Sequence, residues 1–261
     1  MSVLVIIALL YVVACTLLFL KQRSLLYFPT SRSIVAGATE ISLEVEGETL
    51  SIWTRPSNGR KAIIYFGGNS EDVGFSFARF ADAFPDHALY LVNYRGYGGS
   101  TGSPSENALF ADSLAIYDLV QAKHPRISVI GRSLGSGVAV YLSSTRKVER
   151  LVLVTPYDSI ENVAKTHFPI FPISILITDK FESNHRVKSI TAENSLVILA
   201  ENDEVIPRAN SDALIREFDK GQLVTRVLGG STHNSIDSSS EYLGLVSKFL
   251  TGDLDPTLNH Q

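Results

Sequence analysis

Two kinds of apolar pattern alternate along most of this chain. Short, mostly apolar runs at 61–66, 88–93, 127–130, 151–154, 196–199 and 223–228 read as strands. Between them, 73–84, 107–121, 134–145, 209–218 and 241–250 space their apolar residues as helices do. In the second of these the stripe is Leu109, Phe110, Leu114, Ile116, Tyr117, Leu119 and Val120. Two further strands, 41–45 and 50–54, flank a turn at Gly47. Unbroken apolar strands alternating with helices predict an α/β fold, a mainly parallel central sheet with helices on both faces. Chemistry in such sheets gathers at the carboxyl ends of the strands. One connection, about 155–190, is long enough to form a small cap insertion. It contains FPIFPISILI at 168–177, where Ser174 is the sole polar residue. That run is expected to pack on the sheet as a cap helix, with an inner face able to line a greasy pocket.

The N-terminal pattern is different. Residues 2–20 carry no charge, and 3–20 are almost wholly apolar. As a helix, 3–20 spans roughly 27 Å, about one hydrocarbon core. A cleavable signal peptide fits less well, because no basic segment precedes the run, the run is long, and no A-x-A site follows. Val12-Val13-Ala14-Cys15 matches a lipoprotein box only in part, since the residues after Cys15 stay apolar. The expected organisation is a transmembrane anchor over 1–22, a catalytic domain over 23–252 and a polar tail over 253–261. Lys21, Arg23 and Arg32 follow the span and no basic residue precedes it, which by the positive-inside tendency puts the domain in the cytoplasm.

Composition narrows the function class. A 261-residue chain with 45% hydrophobic content suits one large domain plus the anchor. Net charge is −4 with both signs interspersed, which argues against a nucleic-acid partner. A single cysteine excludes an intrachain disulfide framework and multi-cysteine zinc sites. Gly96-Tyr97-Gly98-Gly99-Ser100-Thr101-Gly102 lacks the dinucleotide glycine spacing, and neither Gly-Lys-Ser/Thr nor H-E-x-x-H occurs.

The candidate chemistry centres on Gly131-Arg132-Ser133-Leu134-Gly135, a G-x-S-x-G between a strand and a helix. Glycines are needed there because a serine forced into a sharp strand-to-helix turn has backbone crowded around it. A serine hydroxyl is a poor nucleophile without a base, and the base needs an orienting carboxylate. Both follow in the order serine, acid, histidine. Asp203 comes just after the strand at 196–199, and His233 follows the last strand and Gly229-Gly230. Glu201 and Glu204 compete weakly, and Asp158 is the runner-up acid. His87 and His124 precede strands, His167 and His185 lie in the cap, and His260 lies in the tail. Acyl transfer also requires N–H donors for the developing oxyanion. One is expected from Leu134, the other from the loop Gly67-Gly68-Asn69-Ser70.

With these residues in place the chain resembles the α/β-hydrolase superfamily, in particular its membrane-anchored single-pass branch. The resemblance rests on YFGGNSEDVG, NYRGYGGSTGSPSE, VIGRSLGSGVA, TPYDSI, DKFES, NDEVIP and THN and covers nearly everything after the anchor. It implies an α/β-hydrolase fold and a serine hydrolase acting on esters, thioesters or lipid acyl groups without cofactor or metal. It also implies Ser133, Asp203 and His233 as the triad and Asn69 and Leu134 as oxyanion donors. One departure stands out: the family's oxyanion loop usually begins His-Gly, whereas this one begins Gly67-Gly68. That removes a side chain that helps hold the loop. NYRGYGGS is expected to be structural, with Arg95, Tyr94 and Tyr97 bracing that loop. The expected partners are a small-molecule or lipid acyl substrate and the bilayer through residues 2–20. A peptidase or amidase of the same fold, or an inactive membrane-tethered binding protein, are the alternatives.

Overall fold

The computed structural model describes residues 2–219 and 221–254, so the polar tail, from 255 on, lies outside the described residues. A 24-residue helix, α1 (Val3–Leu26), precedes an eight-stranded sheet. The strands are β1 (Thr39–Val45), β2 (Glu48–Arg55), β3 (Lys61–Phe66), β4 (Ala88–Val92), β5 (Arg126–Arg132), β6 (Arg150–Val154), β7 (Asn194–Asn202) and β8 (Leu223–Thr232). Their spatial order is β1-β2-β4-β3-β5-β6-β7-β8. The β1 and β2 pairings are antiparallel, and all pairings from β4 through β8 are parallel. The β1–β2 hairpin turns on Glu46 and Gly47, both at positive φ (50° and 83°), the geometry that matches strand twist in a two-residue turn.

Between the strands run α2 (Gly74–Ala83), α3 (Glu106–Gln121), α4 (Leu134–Thr145), α5 (Ile160–His167), α6 (Ile173–Leu176), α7 (Arg208–Glu217) and α8 (Tyr242–Thr251). Ser105 and Ser159 cap α3 and α5 by accepting hydrogen bonds from the Ala108 and Asn162 N–H groups. Strand alternation divides the core into two layers. Ala62, Ile64, Val129, Leu151 and Leu153 pack with α3 and α4, through Leu109, Ile116, Val138 and Leu142. Ile63, Tyr65, Ile130, Val152 and Val154 pack on the opposite face with α2 and α8, through Phe77, Phe80, Val246 and Phe249. The helices thus cover both faces, as the unbroken apolar strands require.

His87 lies buried beside the start of β4. Burial disfavours its charged form, Lys61 adds repulsion, and together they push its pKa from 6.5 down to about 4. The unfolded chain therefore takes up a proton below about pH 6.5, whereas the folded chain resists until about pH 4. This contribution to stability is complete above pH 6.5 and lost as pH falls toward 4. Urea midpoints between pH 7 and 4.5 should fall more steeply for the wild type than for His87→Leu.

The 168–177 run departs from the expected cap helix on the sheet. Only Ile173–Leu176 is helical, because Pro169 and Pro172 lack the N–H that a longer helix would need. The run packs against α1 instead: the Tyr11 hydroxyl donates to the Ile170 carbonyl at 2.7 Å, and the Tyr11 and Phe171 rings stack 5.9 Å apart.

Candidate active site

Ser133 stands between β5 and α4 with φ 49° and ψ −117°, a left-handed conformation costly for a residue with a Cβ. Its amide is pinned by donating to the Val154 carbonyl at 2.9 Å. The turn closes only because its neighbours lack side chains. A Cβ on Gly135 would lie 2.1 Å from the Phe66 carbonyl oxygen, and one on Gly131 would lie 2.4 Å from the Gly135 oxygen. Gly135→Ala should therefore destabilise the fold by about 1–3 kcal/mol, the usual range for forced overpacking. A lowered thermal midpoint in detergent, followed by tryptophan fluorescence, would register it.

The carboxyl ends of three strands bring the predicted residues together. Asp203 follows β7 and His233 follows β8, and both strands run a few residues beyond the apolar stretches that announce them. His233 Nε2 lies 2.9 Å from Ser133 Oγ. On the other side of the ring, Nδ1 lies 3.0 Å from each oxygen of Asp203. Asp203 Oδ1 also accepts from the N–H groups of Val205 and Ile206, at 3.0 and 2.8 Å. The carboxylate is thereby fixed independently of the histidine. With Nδ1–H donating to Asp203, Nε2 carries the lone pair that faces the serine. Ser133 and His233 are both buried, so their interaction is shielded from bulk water.

The rival acids are occupied elsewhere. Asp158 accepts from the side-chain amides of Asn162 and Asn210, at 2.6 and 2.9 Å. Glu204 accepts the His233 backbone N–H at 3.2 Å, and Glu201 accepts that of Gly230 at 2.7 Å. Both glutamates support the loop that carries the histidine and leave its ring alone. His124 bonds Gly59 and Tyr90, at the opposite end of the sheet.

The loop after β3 lies against the nucleophile: a Cβ on Gly68 would sit 3.7 Å from that of Ser133. Leu134 is the first residue of α4, so its N–H is one of the helix's unsatisfied donors. What holds the Gly67-Gly68 loop in place of the family's histidine is a set of contacts missed in the sequence. Glu71 accepts the Gly68 N–H at 2.7 Å and the Tyr65 hydroxyl at 2.7 Å, and pairs with Arg132 at 3.1 Å. Arg132 reaches on to the His233 carbonyl at 3.2 Å. Glu71 and Arg132 each lie within a quoted motif, and their pairing across 61 positions was the part no local pattern carried. Tyr94 donates to the Gly67 carbonyl at 2.7 Å and Tyr97 to Asn69 Oδ1 at 2.7 Å. Arg95 turns away and pairs with buried Asp112 at 2.7 Å.

Asn69 also grips the end of α1. Its Nδ2 donates to the Leu26 carbonyl at 2.6 Å, and its Oδ1 accepts the Phe28 N–H at 3.0 Å. Asn69→Ala frees this joint while keeping the backbone donor, and an ångström of misplacement at a reacting centre costs up to about 100-fold. The expected result is a fall in kcat of that order with little change in KM, read from steady-state ester hydrolysis.

No family model matches the chain. Relatives do: an uncharacterized protein of Mycobacterium tuberculosis is 31% identical over 254 residues, covering 90% of this chain and 89% of its own. Alpha/beta hydrolase domain-containing protein 17B of Xenopus tropicalis is 27% identical over 205 residues, 76% of this chain and 68% of its own. The chain belongs to the α/β-hydrolase superfamily. The lysophosphatidylserine lipase ABHD12 of Gallus gallus is 35% identical over 140 residues, 46% of this hydrolase and 36% of the lipase. Among solved structures, the Pyrococcus furiosus esterase Pf2001 superposes on 87% of this hydrolase and 97% of its own chain, with a TM-score of 0.67 at 16% identity. That similarity shows a shared fold. In this chain Ser133, Asp203 and His233 follow the carboxyl ends of β5, β7 and β8, on one end of the sheet.

Proposed function

We propose that the chain is a membrane-anchored serine hydrolase that cleaves an acyl ester or thioester through an acyl-enzyme on Ser133. The observation that carries this reading is the line from Asp203 through both nitrogens of His233 to Ser133 Oγ, with no contact longer than 3.0 Å. In the forward step His233 Nε2 takes the Ser133 proton as Oγ bonds to the acyl carbon. The carbonyl oxygen gains the negative charge, and the backbone N–H groups of Asn69 and Leu134 receive it. Asp203 stabilises the resulting imidazolium and keeps Nδ1 protonated. The bond to the leaving alcohol or thiol then breaks, with His233 returning its proton to the leaving atom. Water, deprotonated by His233, releases the acid and restores Ser133.

The anchor reading rests on α1, whose apolar window has a mean hydropathy of 3.1 and no buried share. Lys21, Arg23 and Arg32 follow α1, and by the positive-inside tendency they support a domain on the cytoplasmic side. A lipid acyl substrate is supported by that anchor and by the lipase among the relatives. Turnover of matched p-nitrophenyl esters, thioesters and anilides by full-length protein in detergent tests the reaction type. Ester and thioester cleavage well above anilide cleavage is expected. Preference for the anilide would make the chain an amidase.

A further inference from the structure

Residues 168–178 form an uncharged surface strip of unusual composition and unusual position. Phe168, Ile170 and Ile175 are 50%, 73% and 81% exposed, a large apolar display for a surface in water. The strip runs alongside α1. Tyr11 donates to the Ile170 carbonyl and stacks on Phe171. Gln22 donates to the Leu176 carbonyl at 3.0 Å and accepts the Thr178 N–H at 2.7 Å. A cleft between the two elements is lined by Tyr11, Val12, Cys15, Thr16, Phe19 and Leu176.

The depth of these contacts decides what covers the strip. Tyr11 precedes Lys21, the first charged residue of α1, by ten positions, about 15 Å of helix. Half the hydrocarbon thickness of a bilayer is about 15 Å. If α1 spans a membrane, Ile170 and Phe171 therefore meet it far inside the apolar layer, and Gln22 meets Thr178 near the boundary.

Most of the strip's backbone N–H groups are also satisfied internally, as lipid-facing backbone requires. Pro169 and Pro172 have no N–H to lose. The N–H groups of Phe168, Phe171, Ile173, Ile175, Leu176 and Ile177 donate within the cap, to Ala164, Phe168, Phe171, Pro172, Pro172 and Ile173. Lys165 and Lys180, on either side of the strip, both pair with Glu161, at 2.6 and 2.8 Å, so these flanking charges meet at its base.

The same elements border the catalytic residues. His167, one residue before the strip, donates from Nε2 to the Val205 carbonyl at 2.9 Å, two positions past Asp203. The end of α1 is held by Asn69, which follows Gly68, the residue that lies against Ser133.

We infer that residues 168–177 are immersed in the lipid bilayer beside α1, so that the edge of the sheet carrying Ser133 faces the membrane. The strip is thus a second, monotopic membrane contact, and its occupant is acyl-chain hydrocarbon. The inference rests on the anchor part of the function proposed above and is independent of the catalytic part.

Full-length protein with Cys15→Ser, carrying one environment-sensitive fluorophore at Ile175→Cys, Leu10→Cys or Ser57→Cys, is reconstituted in phosphatidylcholine vesicles. Lipids with a nitroxide on the acyl chain serve as the quencher. The label at 175 should lose most of its fluorescence, as the one at 10 does, while the label at 57 stays bright. Quenching at 10 without quenching at 175 would overturn the inference and leave the anchor standing. No quenching at either would overturn both. A second measurement uses the unmodified chain: a carbene probe dissolved in the vesicle should label the peptide holding 168–177 as well as α1. Labelling of α1 alone would contradict the inference, and a water-exposed or protein-covered strip would give that result.

Discussion

Ser133→Ala should lower kcat by about four to six orders of magnitude, the loss typical when a serine nucleophile is removed from a working triad. The reasoning is geometric. Ser133 Oγ is the atom 2.9 Å from His233 Nε2, and without it no acyl-enzyme forms. Water activated by His233 beside the proposed oxyanion donors, the N–H groups of Asn69 and Leu134, would sustain the residual rate. The substitution removes only Oγ and leaves the backbone bond from the Ser133 N–H to Val154 in place. Thermal midpoint and KM should therefore stay close to wild type, so the loss falls on the chemical step. His233→Ala should lose about as much, because nucleophile and base act as a unit.

Asp203→Asn should lower kcat/KM by about 10³ to 10⁴. Val205 and Ile206 both donate to Oδ1, so the asparagine carbonyl keeps those bonds and its amide NH2 turns toward His233. A donor facing Nδ1 forces the ring proton to Nε2, where it meets the Ser133 hydroxyl and leaves no lone pair to accept a proton. The defect is thus one of tautomer, with the fold intact. Asp158→Asn provides the contrast. Asp158 bonds Asn162 and Asn210 and lies outside the line to His233, so its rate should remain in the wild-type range. Progress curves on one activated ester, run on both variants, separate the two acids.

How much of this was legible in the sequence follows the range of the interactions involved. The strands that carry Ser133, Asp203 and His233 are short, mostly apolar runs, and the G-x-S-x-G glycines form one contiguous pattern, even though the carbonyl crowding Gly135 is that of distant Phe66. Local pattern is enough for these. Contacts that join distant segments left no such trace. Glu71 reaches Arg132, and Asn69 reaches Leu26 and Phe28, across 61 and about 40 positions. Periodicity carries no information at that separation. These contacts hold the Gly67-Gly68 loop and tie it to the end of α1.

FPIFPISILI shows the other limit. Its apolarity predicted burial, and the cap as a location followed from its length. Which apolar surface it would meet did not follow. Two prolines keep it from forming a helix long enough to lie on the sheet, and α1 offers the alternative face.

The central claim is an activated serine at position 133. Full-length protein in detergent, treated with a fluorophosphonate and mapped by peptide mass spectrometry, tests it most directly. The predicted result is one phosphonyl group on Ser133 in the wild type and none in Ser133→Ala or His233→Ala. Folded wild type that fails to react, or that carries the label on another residue, would contradict it.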